Sequence, residues 1–176
     1  LLELKMAISS LFPVKGRMQV ISTIDQPAIV GDYAHTPDAL KHALLSLSEH
    51  FSGKVWCVFG CGGDRDKVKR PMMAAIAEEM ADRVIVTSDN CRSESIDQIL
   101  ADIRVGFKDS TAAVEIVDRP AAITYAVQSA SKDDIVLLAG KGHETQPSFA
   151  DASGCGKFSD LELAKEELKI HSGDNA

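Results

Sequence analysis

The sequence predicts an α/β fold: a doubly wound, mostly parallel sheet of about five to six strands with helices on both faces. Two observations predict this fold class. Short runs rich in valine, isoleucine and leucine alternate with longer amphipathic stretches along the 176 residues, which is the pattern of repeated strand–helix units. Each run also ends in a polar or glycine-containing loop, as is typical of parallel strands joined by right-handed crossovers.

The strands are predicted from runs in which apolar and β-branched residues predominate. A run without polar alternation indicates a strand that is buried on both faces, as in a parallel sheet. In chain order the predicted strands are Ala28–Val30, Val55–Phe59, Val84–Thr87, Val114–Val117 and Ile135–Leu138.

The first two helices are predicted from capping residues and from apolar spacing. Thr36, Pro37 and Asp38 suit the N-cap, the first helical position and the positive end of the first helix. The second helix is predicted over 71–81. Its expected buried side consists of Met72, Ala75, Ile76, Ala77 and Met80.

The remaining helices are predicted from their first residues. Ser95 and Gln98 have the spacing of a capping box, which predicts a third helix that extends through Phe107. Asp118 is the predicted N-cap of the fourth helix. Ser159 and Glu162 form a second candidate capping box, which opens the last helix.

The chain divides into three predicted parts. Residues 1–20 do not join the strand–helix alternation, and they end in a hinge-like stretch, Val14–Met18. Residues 21–172 form the α/β domain, and residues 173–176 form a tail that we expect to be disordered. The first residue is Leu1 rather than methionine, so we expect the chain to be a piece of a longer protein.

Composition excludes several function classes. The net charge of −7 leaves no excess of cations to neutralise nucleic-acid phosphates or an anionic membrane. No apolar run approaches the roughly 18 residues that a membrane span requires, and the first residues lack the basic start and long apolar stretch of a signal peptide. No cysteine or histidine spacing matches a zinc site, so Cys57, Cys61, Cys91 and Cys155 are expected to be reduced thiols. We therefore expect no metal site, no nucleic-acid partner and no membrane insertion.

Polar residues follow four of the predicted strands, and ligands bind beyond the carboxyl ends of strands in open α/β sheets. We name them the Asp32 loop (Asp32–His35), the glycine loop (Gly60–Lys67), the Asp89 loop (Asp89–Arg92) and the Gly140 loop (Gly140–Glu144). Together they supply arginines and lysines, carboxylates and glycine backbone. This mixture favours a zwitterionic ligand, since paired cations bind carboxylates and acidic groups bind an ammonium.

Each loop also has a purely structural interpretation. Arg65 and Lys67 are compatible with a solvated turn, Asp32 with a turn cap, and Asp89 with an Asx turn. Lys141 fits an exposed turn, and His35 and His143 fit locally satisfied histidines. The glycine loop is not Gly-x-Gly-x-x-Gly, and the chain has no Gly-x-x-x-x-Gly-Lys-Ser/Thr loop for ATP phosphates.

Several of these stretches, taken in order, strongly resemble the Mur ligases, and especially the members that add the third residue of the peptide. They are Gly16–Met18, Asp32–Leu40, Phe59–Lys67, Lys69–Met72, Asp89–Arg92 and Gly140–Glu144. The resemblance covers almost the whole chain, from about Pro13 to the last helix. It implies the Rossmann-like C-terminal domain of a three-domain ligase, with the end of the central ATPase domain at residues 1–20.

The resemblance implies an ATP-dependent amide-forming reaction in bacterial peptidoglycan synthesis. The complete enzyme would join an incoming amino acid to UDP-MurNAc-L-Ala-D-Glu through an acyl phosphate that the amine attacks. ATP and Mg²⁺ would bind mainly to the central domain, and the N-terminal domain would hold the UDP substrate. The resemblance further implies a cytoplasmic location, and we expect this chain alone to be inactive.

The resemblance also implies roles for individual residues. The positions that match those binding the incoming diamino acid are Arg65, Asp89, Asn90, Arg92, Gly140 and Glu144. Lys67, Lys141 and His143 are secondary candidates on the substrate side. Arg17, Asp32 and His35 match the side that meets the nucleotide when the domains close. No catalytic residue is expected within this domain alone.

One position departs from the family. Enzymes that add meso-diaminopimelate commonly have Asp-Asn-Pro-Arg in the third loop, whereas this chain has Cys91 in place of the proline. Arg92, which a second carboxylate would require, is retained. We therefore expect meso-diaminopimelate as the substrate. The alternatives are an L-lysine-adding enzyme, a folylpolyglutamate synthetase-type domain and a non-catalytic nucleotide-binding module.

Overall fold

Strands and helices alternate in the computed structural model, which describes residues 17–142 and 159–173. The strands are β1 (Gln19–Ile21), β2 (Ala28–Asp32), β3 (Val55–Phe59), β4 (Arg83–Val86), β5 (Ala113–Glu115) and β6 (Ile135–Ala139). The helices are α1 (Pro37–His50), α2 (Lys69–Met80), α3 (Ile96–Arg104), α4 (Arg119–Ser129) and α5 (Asp160–Gly173). None of the helices in these ranges is long and apolar enough to cross a membrane.

The strands form one mixed sheet in the order β1-β2-β6-β3-β4-β5. Only β1 is antiparallel to its neighbour, so the expected α/β class and the mostly parallel sheet are confirmed. The last strand, β6, lies between β2 and β3 and pairs with both. As a result, the carboxyl ends of β2, β6, β3 and β4 are neighbours at one edge of the sheet.

Apolar side chains pack on both faces of the sheet. Successive residues of a strand point to opposite faces, and β3 accordingly contributes Cys57 and Phe59 to one core and Trp56 and Val58 to the other. The first core includes residues of α1, α2 and α3, and the second includes residues of α4 and α5. Helices on both faces are therefore confirmed, and the two cores hold the strand ends in place.

The second helix differs from its sequence prediction. It begins at Lys69 rather than at Pro71, and its buried residues are Arg70, Met73, Ala74 and Ala77. The predicted face was right for Ala77, which is buried, and in part for Ile76 and Met80, which pack against the core, but wrong for Met72, which is half exposed. The spacing 70, 73, 74, 77 is as helical as the predicted one, but an arginine was not expected in the core.

Two further elements differ from prediction. The short antiparallel strand β1 was not predicted, and its central residue Val20 is exposed. Ser95 occupies the N-cap position of α3, but its side chain makes no capping hydrogen bond, so that capping box is wrong. By contrast, Thr36 accepts from Ala39 N and Asp118 from Ala121 N, which confirms both predicted caps. The Ser159–Glu162 box stays a prediction.

Candidate functional site

A cleft of about 120 Å³ lies at the carboxyl edge of the sheet, and residues of all four loops line it. Its walls consist of Tyr33, His35, Gly62, Arg65, Lys69, Asp89, Asn90, Arg92 and Gly140. The structure thus brings together five of the six residues that were predicted for the diamino acid, together with His35. The sixth, Glu144, and the secondary candidate His143 lie outside the described residues.

Backbone contacts join the glycine loop to the Asp89 loop. Gly63 N donates to Asn90 O at 2.8 Å. A Cβ at Gly63 would lie 1.9 Å from Cys91 O, so only glycine permits this approach. The Asp64 carboxylate accepts from Ser93 N at 3.1 Å and from Ser93 Oγ at 2.7 Å, and these bonds lower the pKa of Asp64. The two loops therefore form one continuous wall of the cleft.

Arg92 is held by both loops. Its Nη1 donates to Gly63 O at 2.7 Å and to Asn90 O at 3.4 Å, while its backbone N donates to Asn90 Oδ1 at 3.2 Å. The residue has a φ of 48°, a left-handed conformation that non-glycine residues adopt at a cost. Within the described ranges its other guanidinium nitrogens make no hydrogen bond, so they are available to an anion in the cleft.

A second cation and a carboxylate complete this side of the cleft. Arg65 is exposed and has no hydrogen-bond or ion-pair partner among residues 17–142 and 159–173. Asp89 Oδ1 accepts from Asn90 N at 2.7 Å, and a Cβ at Gly140 would lie 3.4 Å from Asp89 Oδ2. Gly140 has a φ of 113°, which favours glycine, and its N donates to Asp32 O at 3.0 Å. The cleft therefore places two arginines near an accessible carboxylate.

The Asp32 loop has a different character. The ring of Tyr33 lies 5.1 Å from Arg17 Cζ and 4.6 Å from the ring of His35. His35 Nδ1 lies 2.8 Å from Tyr33 O, and Lys69 Nζ donates to His35 O at 2.9 Å. Asp32 is buried, and its Oδ2 accepts from Met18 N at 2.8 Å. Asp32 thus anchors the start of the described chain, while Arg17 and His35 remain exposed.

Two secondary candidates lie elsewhere. Lys67 does not line the cleft, because its Nζ pairs with Glu94 Oε2 at 3.1 Å. Lys141 is 3% exposed and does not line the cleft either. Tyr33 and Lys69 do line it but were not proposed as site residues. Both lie inside the stretches that carry the family resemblance, so the resemblance was the signal from which they could have been identified.

Two arginines that the sequence analysis did not assign to the site lie fully buried behind it. Arg70 Nη2 donates to Gly62 O at 3.2 Å, and Arg119 Nη2 donates to Ala139 O at 2.9 Å. Each arginine therefore holds the carbonyl of a residue in or beside a cleft loop. The hydrogen bond from Arg70 is the main reason that the pKa of Glu94 falls to about 2.

The charges of the cleft determine what it can bind. Arginine binds carboxylates bidentately, and a carboxylate binds an ammonium. Among the described residues there is no group of three or more histidine, cysteine or acidic side chains that is placed to hold a metal ion. The cations and the carboxylate of the cleft therefore suit a small zwitterion with more than one charged end.

Comparisons with known proteins give a consistent result. A family model described as "Mur ligase, glutamate ligase domain" matches residues 16–142. The chain is 55% identical over 161 residues to the UDP-N-acetylmuramoyl-L-alanyl-D-glutamate–2,6-diaminopimelate ligase of Coxiella burnetii, covering 92% of this chain and 32% of that protein. It is 50% identical over 160 residues to the ligase of the same name from Haemophilus influenzae, covering 91% and 32%.

Solved structures show the same relationship. A structure of a UDP-N-acetylmuramoyl-L-alanyl-D-glutamate–2,6-diaminopimelate ligase matches with a TM-score of 0.81 and 43% identity, covering 92% of this chain and 33% of that one. A bifunctional folylpolyglutamate synthase/dihydrofolate synthase from Yersinia pestis, complexed with AMPPNP and Mn, matches with a TM-score of 0.58 and 22% identity, covering 90% and 32%. That second likeness shows the fold alone. The chain spans about a third of the length of the relatives that it matches.

Proposed function

The chain belongs to the Mur ligase family as its glutamate ligase domain, and from this premise we propose that it is the C-terminal, amino-acid-binding domain of a longer ligase. The complete enzyme adds meso-diaminopimelate to UDP-MurNAc-L-Ala-D-Glu with ATP in peptidoglycan synthesis. It acts in the bacterial cytoplasm, and its N-terminal and central domains supply the UDP-substrate site and the ATP site.

The single observation that carries this proposal is the cleft at the carboxyl edge of the sheet. Arg65, Arg92 and Asp89 line it together, although they come from two loops that are far apart in sequence. Two cations and an anion complement a diamino acid that carries two carboxylates and two amino groups, one of which is the reacting amine. The proposal places an ammonium group on the Asp89 side, with Glu144 as a further partner.

A second carboxylate distinguishes meso-diaminopimelate from L-lysine, which carries only an ammonium at that end. Arg92 presents guanidinium nitrogens that are not used by the two loops, and this supports the diaminopimelate substrate. The names of the relatives from Coxiella burnetii and Haemophilus influenzae support the same choice. The folylpolyglutamate synthetase alternative is supported only by likeness of fold at 22% identity.

The nucleotide side of the proposal concerns Arg17 and His35. Arg17 is an exposed cation stacked on Tyr33, so it fits a phosphate group of ATP that is brought up by the central domain. Asp32 belongs to the same side in this proposal, and its carboxylate accepts from Met18 N. We assign Mg²⁺ to the central domain, together with the ATP phosphates that it would bridge.

In this proposal the domain contributes by positioning. The cleft orients the amine of the bound diamino acid, and closure of the domain excludes water from the acyl phosphate before the amine attacks it. The chain lacks its own ATP-binding loop, so we expect the isolated chain neither to hydrolyse ATP nor to ligate. ATP hydrolysis or ligation by the purified chain would contradict the assignment of the ATP site to another domain.

The test of the proposal is Arg92→Gly in the complete enzyme. Glycine accepts the left-handed φ of 48° without strain, so the change removes the guanidinium while leaving the backbone conformation favourable. We expect kcat/KM for meso-diaminopimelate to fall by about a hundredfold, since loss of a bidentate charge partner costs about 2–3 kcal/mol. The low activity with L-lysine should change much less.

The matched control is Asp25→Gly. Asp25 is also a non-glycine residue in the left-handed region, with a φ of 61°, and it does not line the cleft. This variant should leave kcat/KM for both amino acids unchanged. Equal losses for the two amino acids in Arg92→Gly would contradict the assigned specificity. Tight NAD binding by the chain would instead favour a nucleotide-binding module.

A further inference from the structure

We propose that Arg70 is a positioning residue for the diamino-acid site, which fixes the glycine loop against the Asp89 loop and thereby sets the direction of the Arg92 guanidinium. This inference rests on the proposed function. Arg70 does not line the cleft, so it acts through the two loops and does not contact substrate.

The first step is the environment of Arg70. Its side chain is 0% exposed, and its Nη1 donates to Glu94 Oε2 at 3.0 Å and to Asp102 Oδ2 at 2.7 Å. Its Nη2 donates to Glu94 Oε1 at 2.9 Å and to Gly62 O at 3.2 Å. We call Arg70, Glu94 and Asp102 the Arg70 cluster. Arg70 lies in α2, Glu94 lies two positions beyond the Asp89 loop, and Asp102 lies in α3. Through Gly62 O the cluster also contacts the glycine loop.

The second step is the position of Gly63 between two held groups. Arg70 holds the carbonyl of Gly62, and Glu94 Oε1 accepts from Asp64 N at 2.6 Å. The peptide groups on both sides of Gly63 are therefore fixed by the Arg70 cluster. The carbonyl of Gly63 in turn accepts from Arg92 Nη1 at 2.7 Å. The direction of this carbonyl thus determines where the guanidinium of Arg92 points.

The third step is conformational strain. Asp64 has a φ of 52° and Arg92 a φ of 48°, and such non-glycine conformations persist only where the surroundings impose them. The Arg70 cluster holds Asp64 through Glu94, and Asp64 holds Ser93 beside Arg92. If the cluster is loosened, both residues can return to ordinary conformations. The guanidinium would then leave its place in the cleft without unfolding of the domain.

The Arg70 cluster also explains the position of Lys67. Its Nζ is 3.1 Å from Glu94 Oε2, so the cluster holds this lysine away from the cleft. The cleft side of the glycine loop is left to Arg65, which has no partner among the described residues. Lys67 therefore contacts the cluster, while Arg65 and Lys69 line the cleft.

The experiment is Glu94→Gln in the complete polypeptide that carries this chain. The amide group of glutamine places N–H donors where Arg70 requires acceptors, while the size of the side chain is nearly unchanged. We expect KM for meso-diaminopimelate to rise about tenfold or more, because small displacements of positioning groups have large kinetic effects. KM for ATP and kcat at saturating amino acid should stay within about twofold of the wild type.

A second variant and a matched control complete the kinetic test. Arg70→Lys keeps the charge but loses the planar fork, so it should raise the same KM. The control is Glu115→Gln, which breaks the paired 2.7 Å bonds between Arg104 and Glu115 away from the cleft and should change neither KM. If both cluster variants lower Tm but leave KM for meso-diaminopimelate within about twofold, the cluster is structural only and the proposal is overturned.

Amide hydrogen exchange provides a readout that does not depend on activity. Exchange at Gly63 N and Asp64 N should be faster in Glu94→Gln and unchanged in Glu115→Gln, because the first amide faces Asn90 O and the second faces Glu94. If the wild type ligates neither amino acid, the proposed function fails. The exchange rates still test whether the Arg70 cluster fixes the glycine loop. Unchanged exchange at both amides in Glu94→Gln would overturn the positioning role.

Discussion

Arg70 and Arg119 are two fully buried arginines in similar places, and their difference is instructive. Each lies in the first turn of a helix, and each donates from Nη2 to a carbonyl in or beside a cleft loop. Arg119 contacts one carboxylate, Asp160, which is only 3% exposed. Arg70 contacts Glu94 and Asp102, whose side chains are 14% and 23% exposed.

The difference lies in what each arginine joins. Arg119 binds Asp160 at 2.6–3.1 Å and Ala139 O at 2.9 Å, so it connects α4, α5 and the end of β6 inside the protein. Arg70 connects two loops whose other sides face the cleft. Arg119 therefore ties two helices to the end of β6, and its charge also acts on Asp89 of the cleft, whereas Arg70 links the glycine loop to Glu94 just beyond the Asp89 loop.

The largest expected effect is on stability. Arg119→Met would leave Asp160 as an uncompensated buried charge, and breaking a buried pair in this way costs about 3–5 kcal/mol of unfolding free energy. Arg70→Met should cost about half as much, since Glu94 and Asp102 can reach water. Urea unfolding of the chain followed by circular dichroism measures both.

The paired variant Arg119→Met with Asp160→Leu controls for the loss of packing. It should recover most of the lost stability, because a well-packed apolar pair can replace a buried ion pair. A loss in Arg70→Met as large as that in Arg119→Met would contradict the distinction between the two arginines.

An intermediate effect is expected in acid. The pKa of Glu94 is lowered from its ordinary 4.5 to about 2 in the folded protein, first by its hydrogen bond to Arg70. The unfolded chain therefore takes up a proton at Glu94 before the folded protein does as the pH falls. The stabilisation from Glu94 is complete above about pH 4.5 and is lost as the pH falls towards 2.

The glutamine side chain in Glu94→Gln does not titrate. The difference in unfolding free energy between this variant and the wild type should therefore shrink as the pH falls from about 4.5 towards 2. Unfolding midpoints in denaturant at several pH values measure the difference. A difference that stays constant from pH 5 to pH 2.5 would show that Glu94 is not held as a charged partner of Arg70.

The smallest effect is expected for the surface pair of Arg104 and Glu115. Their side chains are 56% and 31% exposed, so Glu115→Gln should change the unfolding free energy by about 0.5 kcal/mol or less. Thermal unfolding of the variant beside the wild type measures this. If Glu115→Gln lowers the unfolding free energy as much as Glu94→Gln does at neutral pH, the burial of Arg70 does not make its ion pairs more stabilising than this exposed pair.

Much of the site could be predicted because it depends on local patterns and one general rule. Polar loops that follow parallel strands meet at one edge of the sheet, and this places Asp89, Arg92, Arg65 and Gly140 together. The burial of Arg70 and Arg119 could not be predicted in this way. An arginine enters a core only when specific carboxylates meet it, and those partners lie 24 to 41 residues away in sequence.

The same limit applies to elements of the fold. The strand β1 has three residues and one neighbour, so its stability comes from pairing with β2 rather than from its own composition. The apolar spacing of α2 allowed two faces, and the observed one buries Met73, Ala74 and Ala77 together with Arg70, which pairs with Glu94 and Asp102. Local patterns thus predicted most elements, while the burial of Arg70 depends on partners distant in sequence.

The place of β6 in the sheet has a consequence for the order in which the protein is made. Because β6 is the last strand among the described residues and pairs with both β2 and β3, a ribosome delivers the strand that joins the two halves of the sheet after the other five. Until then β2 and β3 each present an unpaired edge, which is a hazard for association with other chains. The cleft between the Asp32 loop and the glycine loop is therefore completed only near the end of synthesis of this domain.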